Sequence, residues 1–337
     1  MGPEKKVQPL FNTLGMEIAQ VGIVVKDAVK TARNFAELLG IGPWEFFDDV
    51  PSDTILHGKV LEDGECCLRL AFAYLGDLEI ELLQPLWGPS SHQEFLAARG
   101  DGIHHLSFCG IEDFDRFAGA LEGGGIQPEM LGKVSGDISF AYMATQKALG
   151  TIFEATTPVT EAVQASLKPW GTLAIDKPPL VDITAERLVQ VGIVVQDLAA
   201  TVKNYEKLFG MGPWSYYDLK PPYASFNRLD DLPMVADADT HIRAAAADMG
   251  HTRIELLEPV CGPSSCMNFL KGFGSGVHYL GFGLVKDADA IVGRMRDNGI
   301  KIDMAGVADG LAWTNLGTQV ELGAILQFVK TESDTKS

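Results

Sequence analysis

Short runs of apolar, β-branched residues alternate along this chain with segments whose apolar positions have helical spacing. MEIAQVGIVV, residues 16–25, predicts a strand, because β-branched residues fit a pleated surface. Residues 27–40 repeat their apolar positions at the period of an α-helix and end in glycine, which predicts a helix. WEFFDD, LRLAFAYL and LEIELLQP then predict three further strands.

The same order of elements begins again at residue 103. IHHLSF predicts a strand, DFDRFAGALEGGG predicts a helix that ends in glycines, and SFAYMA and TIFEAT predict more strands. Strand, helix and strands therefore occur twice within about the first 157 residues of the chain. This order favours two βαβββ modules, although a generic α+β sandwich would give a similar pattern.

The first half of the sequence is repeated in the second half. AQVGIVVKD at 19–27 returns as VQVGIVVQD at 189–197, and GIHHLSF at 102–108 returns as GVHYLGF at 276–282. A repeat of such length implies two copies of one structural unit. The sequence thus predicts an α+β fold with two tandem domains, each of two βαβββ modules that form a curved mixed sheet around a cleft.

The repeat also sets the expected domain boundaries. We predict an N-terminal lead at 1–15, a first domain at 16–157, a proline-rich linker at 158–185, a second domain at 186–330 and a tail at 331–337.

Composition excludes several classes of protein. Of the 337 residues, 46% are hydrophobic and 21% are charged, which is typical of a globular protein, and the net charge is −18. Such a charge argues against nucleic acid and anionic membranes as partners. No apolar run reaches the about 20 residues of a membrane span, and no signal peptide is evident, so we expect a cytoplasmic protein.

Strand alternation predicts which polar side chains share the face away from the helices. Residues i and i+2 of a strand point to the same face, so Gln20, Glu81, His105 and Glu154 each point away from their apolar neighbours. One imidazole, two carboxylates and an amide form a set of N and O donors that suits Zn²⁺, Ni²⁺, Co²⁺, Mn²⁺ or Fe²⁺. Alternation alone leaves open that these are solvated residues on strand edges.

ELLQPLWGPSSHQEFLAARGDGIHHLSF at 81–108, with IAQVGIVVKD and GTIFEAT, resembles the vicinal oxygen chelate superfamily. Within it, the likeness is to methylmalonyl-CoA epimerases and glyoxalase I-type proteins. The resemblance implies one divalent metal ion per site, with Gln20, Glu81 and Glu154 as ligands together with His105 rather than His104.

The second copy departs from this pattern. Its corresponding residues are Gln190, Glu255, Tyr279 and Gln327, so it has one carboxylate and no imidazole. A phenol with a pKa near about 10 is a poor ligand while it is protonated. We therefore expect a degenerate second site that keeps the fold.

The resemblance implies a metal-dependent isomerase, either an epimerase or a racemase, that acts on a small carbonyl compound. Glu154 or Glu81 would remove the proton next to the carbonyl, and the metal would stabilise the resulting enolate. A glyoxalase-type lyase, an Fe²⁺-dependent dioxygenase and a non-catalytic small-molecule binding protein remain as alternatives. Neither CoA nor glutathione is assigned as cosubstrate.

The cleft has further candidate residues. Trp44, Phe46, Arg69 and Tyr142 are candidates for substrate binding, with Arg69 facing Glu81 or a substrate carboxylate. His104 is expected on the helix side, and His92 in a solvated loop. The tandem copies predict either a monomer that packs as a pseudo-dimer or a homodimer.

Overall fold

The computed structural model describes residues 9–11, 13, 16–108, 110–135, 137–234 and 239–332. Most of the predicted lead and the end of the predicted tail, residues 1–8, 12, 14, 15 and 333–337, lie outside the described residues.

The first copy contains strands and helices in the predicted order, with additional short elements. The strands are Gln20–Val24 (β1), Trp44–Asp49 (β2), Ser52–Leu56 (β3), Lys59–Val60 (β4), Cys67–Leu75 (β5), Leu78–Trp87 (β6), Gly102–Phe108 (β7), Pro128–Val134 (β8), Ile138–Met143 (β9), Ile152–Thr156 (β10) and Gly171–Leu173 (β11). The helices are Ala28–Leu39 (α1), Ser91–Arg99 (α2), Phe114–Gly123 (α3), Gln146–Leu149 (α4) and Glu161–Ser166 (α5).

The second copy repeats this arrangement. Its strands are Leu188–Val194 (β12), Ser215–Leu219 (β13), Ala224–Leu229 (β14), Leu232–Pro233 (β15), His241–Met249 (β16), Thr252–Cys261 (β17), Gly276–Leu284 (β18), Ile302–Ala308 (β19), Leu311–Leu316 (β20) and Ile325–Thr331 (β21). Its helices are Leu198–Phe209 (α6), Ser265–Phe273 (α7), Ala288–Asp297 (α8) and Gln319–Leu322 (α9). None of the described helices is long and apolar enough to cross a membrane.

Each copy forms one mixed sheet. The strand order is β11-β2-β5-β6-β1-β7-β10-β9-β8-β3-β4 in the first copy and β13-β16-β17-β12-β18-β21-β20-β19-β14-β15 in the second. In the first copy, β1 pairs in parallel with β6 and antiparallel with β7, which in turn pairs in parallel with β10. The two βαβββ modules thus meet at the β1–β7 pair, and the predicted fold is confirmed.

The first helix illustrates how local sequence sets these elements. The side chain of Asp27 accepts a hydrogen bond from the backbone N–H of Lys30 and so caps α1. Gly40 ends the helix with a φ of 76°, a left-handed conformation that glycine adopts without strain. Asp197 and Gly210 have the same roles for α6. The repeated sequence therefore folds in the same way twice.

The first sheet has two distinct faces. The helix face carries the buried apolar side chains that pack on the helices, among them Val21, Ile23, Ile80, Leu82 and Leu106. The cleft face lies on the opposite side, and its apolar residues form two separate clusters that include Leu70 and Leu83 at one end and Met130 and Phe140 at the other.

The two copies pack against each other through reciprocal helix contacts. Helix α4 packs on α6, and helix α9 packs on α1. The Tyr205 hydroxyl donates to the carbonyl oxygen of Leu149 at 3.1 Å, and the Asn34 amide donates to the carbonyl oxygen of Glu321 at 2.8 Å. The apolar residues of both helix faces belong to one continuous core.

The segments outside the two repeats also pack on them. The predicted linker contains α5 and β11, and β11 extends the first sheet by pairing with β2. In the N-terminal lead, the backbone N–H of Leu10 donates to the carbonyl oxygen of Lys207 at 3.0 Å, at the end of α6. The lead of the chain therefore contacts the second copy.

We expect Phe153→Ala to destabilise both copies together. The Phe153 ring stacks on Phe108 at 5.2 Å and meets Phe209 of the second copy at 5.0 Å. Removal of a buried phenylalanine costs about 3–5 kcal/mol of the free energy of unfolding. Chemical denaturation should show one transition at lower denaturant. Val320→Ala, at a residue that is 83% exposed, is the control and should change stability by less than about 0.5 kcal/mol. Two transitions, with only one of them shifted, would contradict the continuous core.

Candidate metal centre

The four residues selected by strand alternation meet in the middle of the first sheet. Glu81 Oε2 lies 3.4 Å, and Glu154 Oε2 3.3 Å, from Nε2 of His105. Gln20 Oε1 lies 3.4 Å from the same nitrogen. All four residues are buried. They belong to β1, β6, β7 and β10, the four central strands, so the pairing of the sheet brings them together.

A glycine makes room for the imidazole at the centre of this cluster. Gly22 is paired with His105 across the β1–β7 seam and with Glu81 across the β1–β6 pair. A Cβ atom at Gly22 would lie 1.9 Å from Cε1 of His105. The imidazole ring of His105 therefore rests directly on the backbone of β1, and any larger residue at position 22 would occupy the space that the ring fills.

The amide of Gln20 is oriented by a neighbouring carboxylate. Its Nε2 donates to Glu79 Oε1 at 2.6 Å, and the hydroxyl of Tyr74 donates to the other oxygen of Glu79. With the nitrogen fixed in this way, the amide oxygen points towards His105.

A β-bulge places a second histidine beside the cluster. The register shifts so that Gly22 pairs with His105 whereas Ile23 pairs with Ile103, which leaves His104 as the extra residue. Nδ1 of His104 lies 3.1 Å from Nδ1 of His105. The expectation that His104 lies on the helix side is therefore wrong, because strict alternation does not hold through a bulge.

Burial and mutual attraction shift the pKa values in this cluster. Burial raises the pKa of Glu81 to about 7. Burial opposes the charged form of His105, but Glu154 and Glu81 outweigh it and raise the pKa of His105 to about 9. Burial, followed by the charge of Glu154, raises the pKa of Tyr142 well above its usual value, so that phenol stays protonated.

The donor set fits a divalent ion. One ligand atom each of Glu81, His105 and Glu154 lies within 4.8 Å of the other two. Oε2 of Glu154 is buried and has no hydrogen-bond donor among the described residues, so one carboxylate lone pair is left unused at the centre of the cluster. Together with the oxygen of Gln20, these groups supply the mixed N and O ligands that Zn²⁺, Ni²⁺, Co²⁺, Mn²⁺ and Fe²⁺ accept.

Tyr142, a predicted cleft residue, lies on the cleft face of the sheet. It stands directly across from Glu154 in the β9–β10 pair, and its ring centre is 4.9 Å from that of His105. The aromatic wall on the other side of the cluster consists of Phe72, which pairs with Glu81, and Phe47, whose ring is 5.9 Å from that of Phe72. Phe72 is not among the sequence candidates, because Arg69 is expected in the cleft and alternation along LRLAFAYL then turns Phe72 to the other face.

Trp44, Phe46 and Arg69 do not line the cleft, so these three expectations are wrong. Trp44 and Phe46 are buried in the helix-face core, because alternation along β2 sends Phe47 rather than its neighbours to the cleft face. Arg69 forms two hydrogen bonds with the carboxylate of Asp48, at 2.7 and 2.8 Å, on the face opposite Glu81. Its guanidinium also lies 4.7 Å from the centre of the Trp170 ring.

His92 is buried rather than solvated. GPSSHQEF forms the start of α2, where the hydroxyl of Ser90 accepts from the backbone N–H of Gln93 at 3.1 Å. This turn directs His92 against His104, with ring centres 4.7 Å apart. The sequence predicts a solvated loop around His92, and this prediction is wrong because the segment begins a capped helix.

The corresponding cluster in the second copy is closed by its own hydrogen bonds. The hydroxyls of Tyr279 and Tyr217 donate to the two oxygens of Glu255, and Gln190 Nε2 donates to the same carboxylate at 2.7 Å. Gln327 Nε2 donates to Oδ1 of Asn315 at 3.0 Å. Burial, followed by the charge of Glu255, raises the pKa of Tyr279 well above its usual value, so Tyr279 remains a phenol rather than a metal-binding phenolate.

Comparison with known proteins gives matches over both copies. A family model described as the glyoxalase/bleomycin resistance protein/dioxygenase superfamily matches residues 19–142 and 189–316. A mutant of 4-hydroxymandelate synthase from Streptomyces coelicolor has a similar structure, with a TM-score of 0.56 at 16% identity over 94% of this chain and 93% of that one. Methylmalonyl-CoA epimerase from Mycobacterium tuberculosis matches 43% of this chain and 87% of its own, with a TM-score of 0.32 and 22% identity.

One curated relative is also similar in sequence. It is the uncharacterized protein YqjC of Bacillus subtilis (strain 168), which is 32% identical over 63 residues. The match spans 19% of this chain and 44% of that protein, less than half the length of the relative.

We expect Gly22→Ala to weaken metal binding at the first cluster by more than about tenfold, because the new methyl group would displace a ligand that must be held within about 0.5 Å. The control is Gly192→Ala, whose Cβ would lie 2.2 Å from Cε1 of Tyr279 and so strains the second copy in the same way. Metal affinity can be measured by competition with a chromogenic chelator. Equal affinity of the Gly22→Ala variant and the unmodified chain would contradict this role of His105.

A second metal site should appear when the second copy regains its missing ligands. Tyr279→His and Gln327→Glu restore the imidazole and the second carboxylate, and Tyr217→Phe removes a hydroxyl that occupies Glu255. Elemental mass spectrometry should then find one equivalent of metal per chain more than before. Tyr217→Phe alone is the control and should add none. A folded triple variant without added metal would show that more than these ligands separates the two copies.

Proposed function

Because the chain belongs to the glyoxalase/bleomycin resistance protein/dioxygenase superfamily, as its resemblance to vicinal oxygen chelate proteins predicted, we propose that its first copy is a metal-dependent isomerase. It would move a proton at a carbon atom next to a carbonyl group. The observation that carries this proposal is the pair of buried carboxylates, Glu81 and Glu154, that approach the same nitrogen of His105 at 3.4 and 3.3 Å.

The metal in this proposal is held by Gln20, Glu81, His105 and Glu154. A divalent ion bound there supplies Lewis-acid stabilisation of negative charge on a substrate oxygen, which is worth several kcal/mol of barrier. Its identity within the group Zn²⁺, Ni²⁺, Co²⁺, Mn²⁺ and Fe²⁺ follows from availability as much as from affinity.

The proton is transferred by the carboxylates. Glu81 or Glu154 would act as the base by leaving or loosening its coordination to the metal, which an open site allows. Glu81 belongs to β6 and Glu154 to β10, on opposite sides of the β1–β7 seam, so the two carboxylates can serve opposite faces of one carbon atom. Return of the proton to the opposite face gives an epimerase or racemase, and return to the neighbouring carbon gives a glyoxalase-type reaction.

The walls of the cleft indicate the class of substrate. Phe47 and Phe72 are half-buried apolar residues on one side of the cluster, whereas Leu83, Met130 and Phe140 are buried within the apolar clusters of the cleft face. Arg69, the cation expected to face a substrate carboxylate, is paired with Asp48 instead. We therefore propose a small carbonyl compound with an apolar flank as substrate.

Two alternatives make different predictions. An Fe²⁺-dependent dioxygenase would consume oxygen with its substrate, whereas a proton-transfer enzyme would not. A non-catalytic binding protein would keep its affinity for the small molecule when Glu154→Gln and His105→Ala are combined, because apolar walls rather than the metal would hold the ligand.

The metal content of the purified protein tests the proposal. We expect one equivalent per chain by elemental mass spectrometry, lost in the Glu154→Gln/His105→Ala double variant because two of the four ligands are removed. Gln327→Ala/Tyr279→Phe, which alters the corresponding residues of the second copy, is the matched control and should retain the metal.

The same preparations should be screened for exchange of α-protons in D₂O with 2-substituted carbonyl compounds, followed by NMR. Glu81→Gln and Glu154→Gln should each lower exchange by about 10²–10⁴-fold, as expected when a general base is removed. Exchange that persists after complete removal of the metal by chelation, or in both glutamine variants, would overturn the proposed function.

A further inference from the structure

His104 lies against the candidate metal centre without belonging to its ligand set. Its Nδ1 is 3.1 Å from Nδ1 of His105, and both rings are buried, with 1% and 0% exposure. On its other side, Nε2 of His104 faces Oε1 of Glu129 at 3.6 Å, beyond hydrogen-bond distance but close enough for attraction. Three side chains therefore form a line, from Glu129 through His104 to His105.

Two nitrogens at 3.1 Å require one proton between them. A neutral imidazole has one N–H donor and one acceptor nitrogen, and the partner of each nitrogen decides which is which. Nε2 of His105 faces Glu81, Glu154 and Gln20, so it is the nitrogen that must offer a lone pair to a metal ion. Its other nitrogen, Nδ1, then carries the proton, and Nδ1 of His104 lies at hydrogen-bond distance from it, 3.1 Å, as the acceptor.

We propose that His104 is a positioning residue that fixes His105 with its proton on Nδ1 and its Nε2 free for the metal. His104 accepts this proton at Nδ1 and carries its own proton on Nε2, which faces the carboxylate of Glu129. This inference rests on the proposed function, since the orientation matters only if His105 is a ligand. Partners that orient a ligating histidine in this way typically contribute 10–100-fold to metal affinity.

The second copy lacks the inner part of this line. His278 corresponds to His104, and its Nε2 lies 3.9 Å from Oδ2 of Asp303, the counterpart of Glu129. The next residue is Tyr279, which has no ring nitrogen, and Nδ1 of His278 has no hydrogen-bond partner among the described residues. A buried histidine beside an acid thus occurs in both copies, whereas its hydrogen bond to a ligand occurs in the first.

An ion held by three imidazoles is the competing interpretation of the same side chains. One nitrogen each of His92, His104 and His105 lies within 4.8 Å of the other two, and neither nitrogen of His92 has a partner among the described residues. A hydrogen bond explains the close approach of His104 to His105 without an ion. The two interpretations differ in stoichiometry, because a three-imidazole site would add a second equivalent of metal.

The experiment compares two substitutions at His104 with the same two at His278. His104→Asn keeps a short polar side chain that can accept from His105, whereas His104→Leu removes the acceptor. Metal affinity, measured on the full chain with Zn²⁺ by competition with a chromogenic chelator, should fall about 10–100-fold in His104→Leu and much less in His104→Asn. His278→Leu and His278→Asn should leave it unchanged, although they disturb an equally buried position.

NMR of the chain with ¹⁵N-labelled histidine gives a second readout that does not depend on metal affinity. We expect His104 to be neutral with its proton on Nε2. A proton on Nδ1 of His104, equal affinities of His104→Leu and the unmodified chain, equal losses in His104→Leu and His104→Asn, or a second equivalent of metal lost with His92→Leu would each overturn the inference. If the unmodified chain binds no Zn²⁺ while His104 carries its proton on Nε2, the proposed function fails and the hydrogen bond stands without a positioning role.

Discussion

The pairing of β1 with β7 is the contact on which the rest of the first copy depends. It joins the two βαβββ modules, and it places Gly22 under the ring of His105. On either side of this seam, β6 adds Glu81 at the level of His105, and β10 adds Glu154 at the level of Ser107, two residues along β7. Three proposed ligands from three strands thus converge because the hydrogen-bond register of a sheet fixes the position of every side chain, and a shift of one residue would turn each to the other face. The site is therefore as rigid as the centre of the sheet.

The buried carboxylates of the two copies have different partners. A carboxylate out of water needs donors or opposite charge, since its desolvation costs several kcal/mol. In the second copy, Glu255 receives hydrogen bonds from Tyr279, Tyr217 and Gln190, and its needs are met by the protein alone. In the first copy, Glu81, the counterpart of Glu255, and Glu154, the counterpart of Gln327, both face Nε2 of His105, at 3.4 and 3.3 Å. Oε2 of Glu154 forms no hydrogen bond with the described residues. That difference, rather than the resemblance of the two backbones, is the physical reason to assign the chemistry to the first copy.

The sequence predicts side-chain positions correctly where a strand is regular and incorrectly where the backbone departs from regularity. Alternation and the repeat were enough to predict the tandem fold and to bring Glu81, His105 and Glu154 to one face. The bulge at Ile103–His105 could not be predicted, because it depends on the partner strand, and it moved His104 to the cluster. Trp44 and Phe46 were misplaced because WEFFDD is aromatic on both faces, so apolar character does not indicate direction. Arg69 was misplaced for a related reason, since its partner Asp48 lies on a strand that pairs with it only in three dimensions.

The second copy supports the first copy through the continuous hydrophobic core that they share. Gly150 and Gly323 lie where each copy meets the other: a Cβ at Gly150 would touch Ile193 at 2.7 Å, and a Cβ at Gly323 would touch Ile23 at 2.7 Å. Ile23 follows Gly22 on β1, the strand that supports the ring of His105. The second copy thus packs on the reverse side of the strand that carries the site, and the α9 contact buries a face that would otherwise expose apolar residues to water. The second copy can therefore hold the proposed metal ligands of the first copy in place, which is a structural role that does not require a metal site of its own.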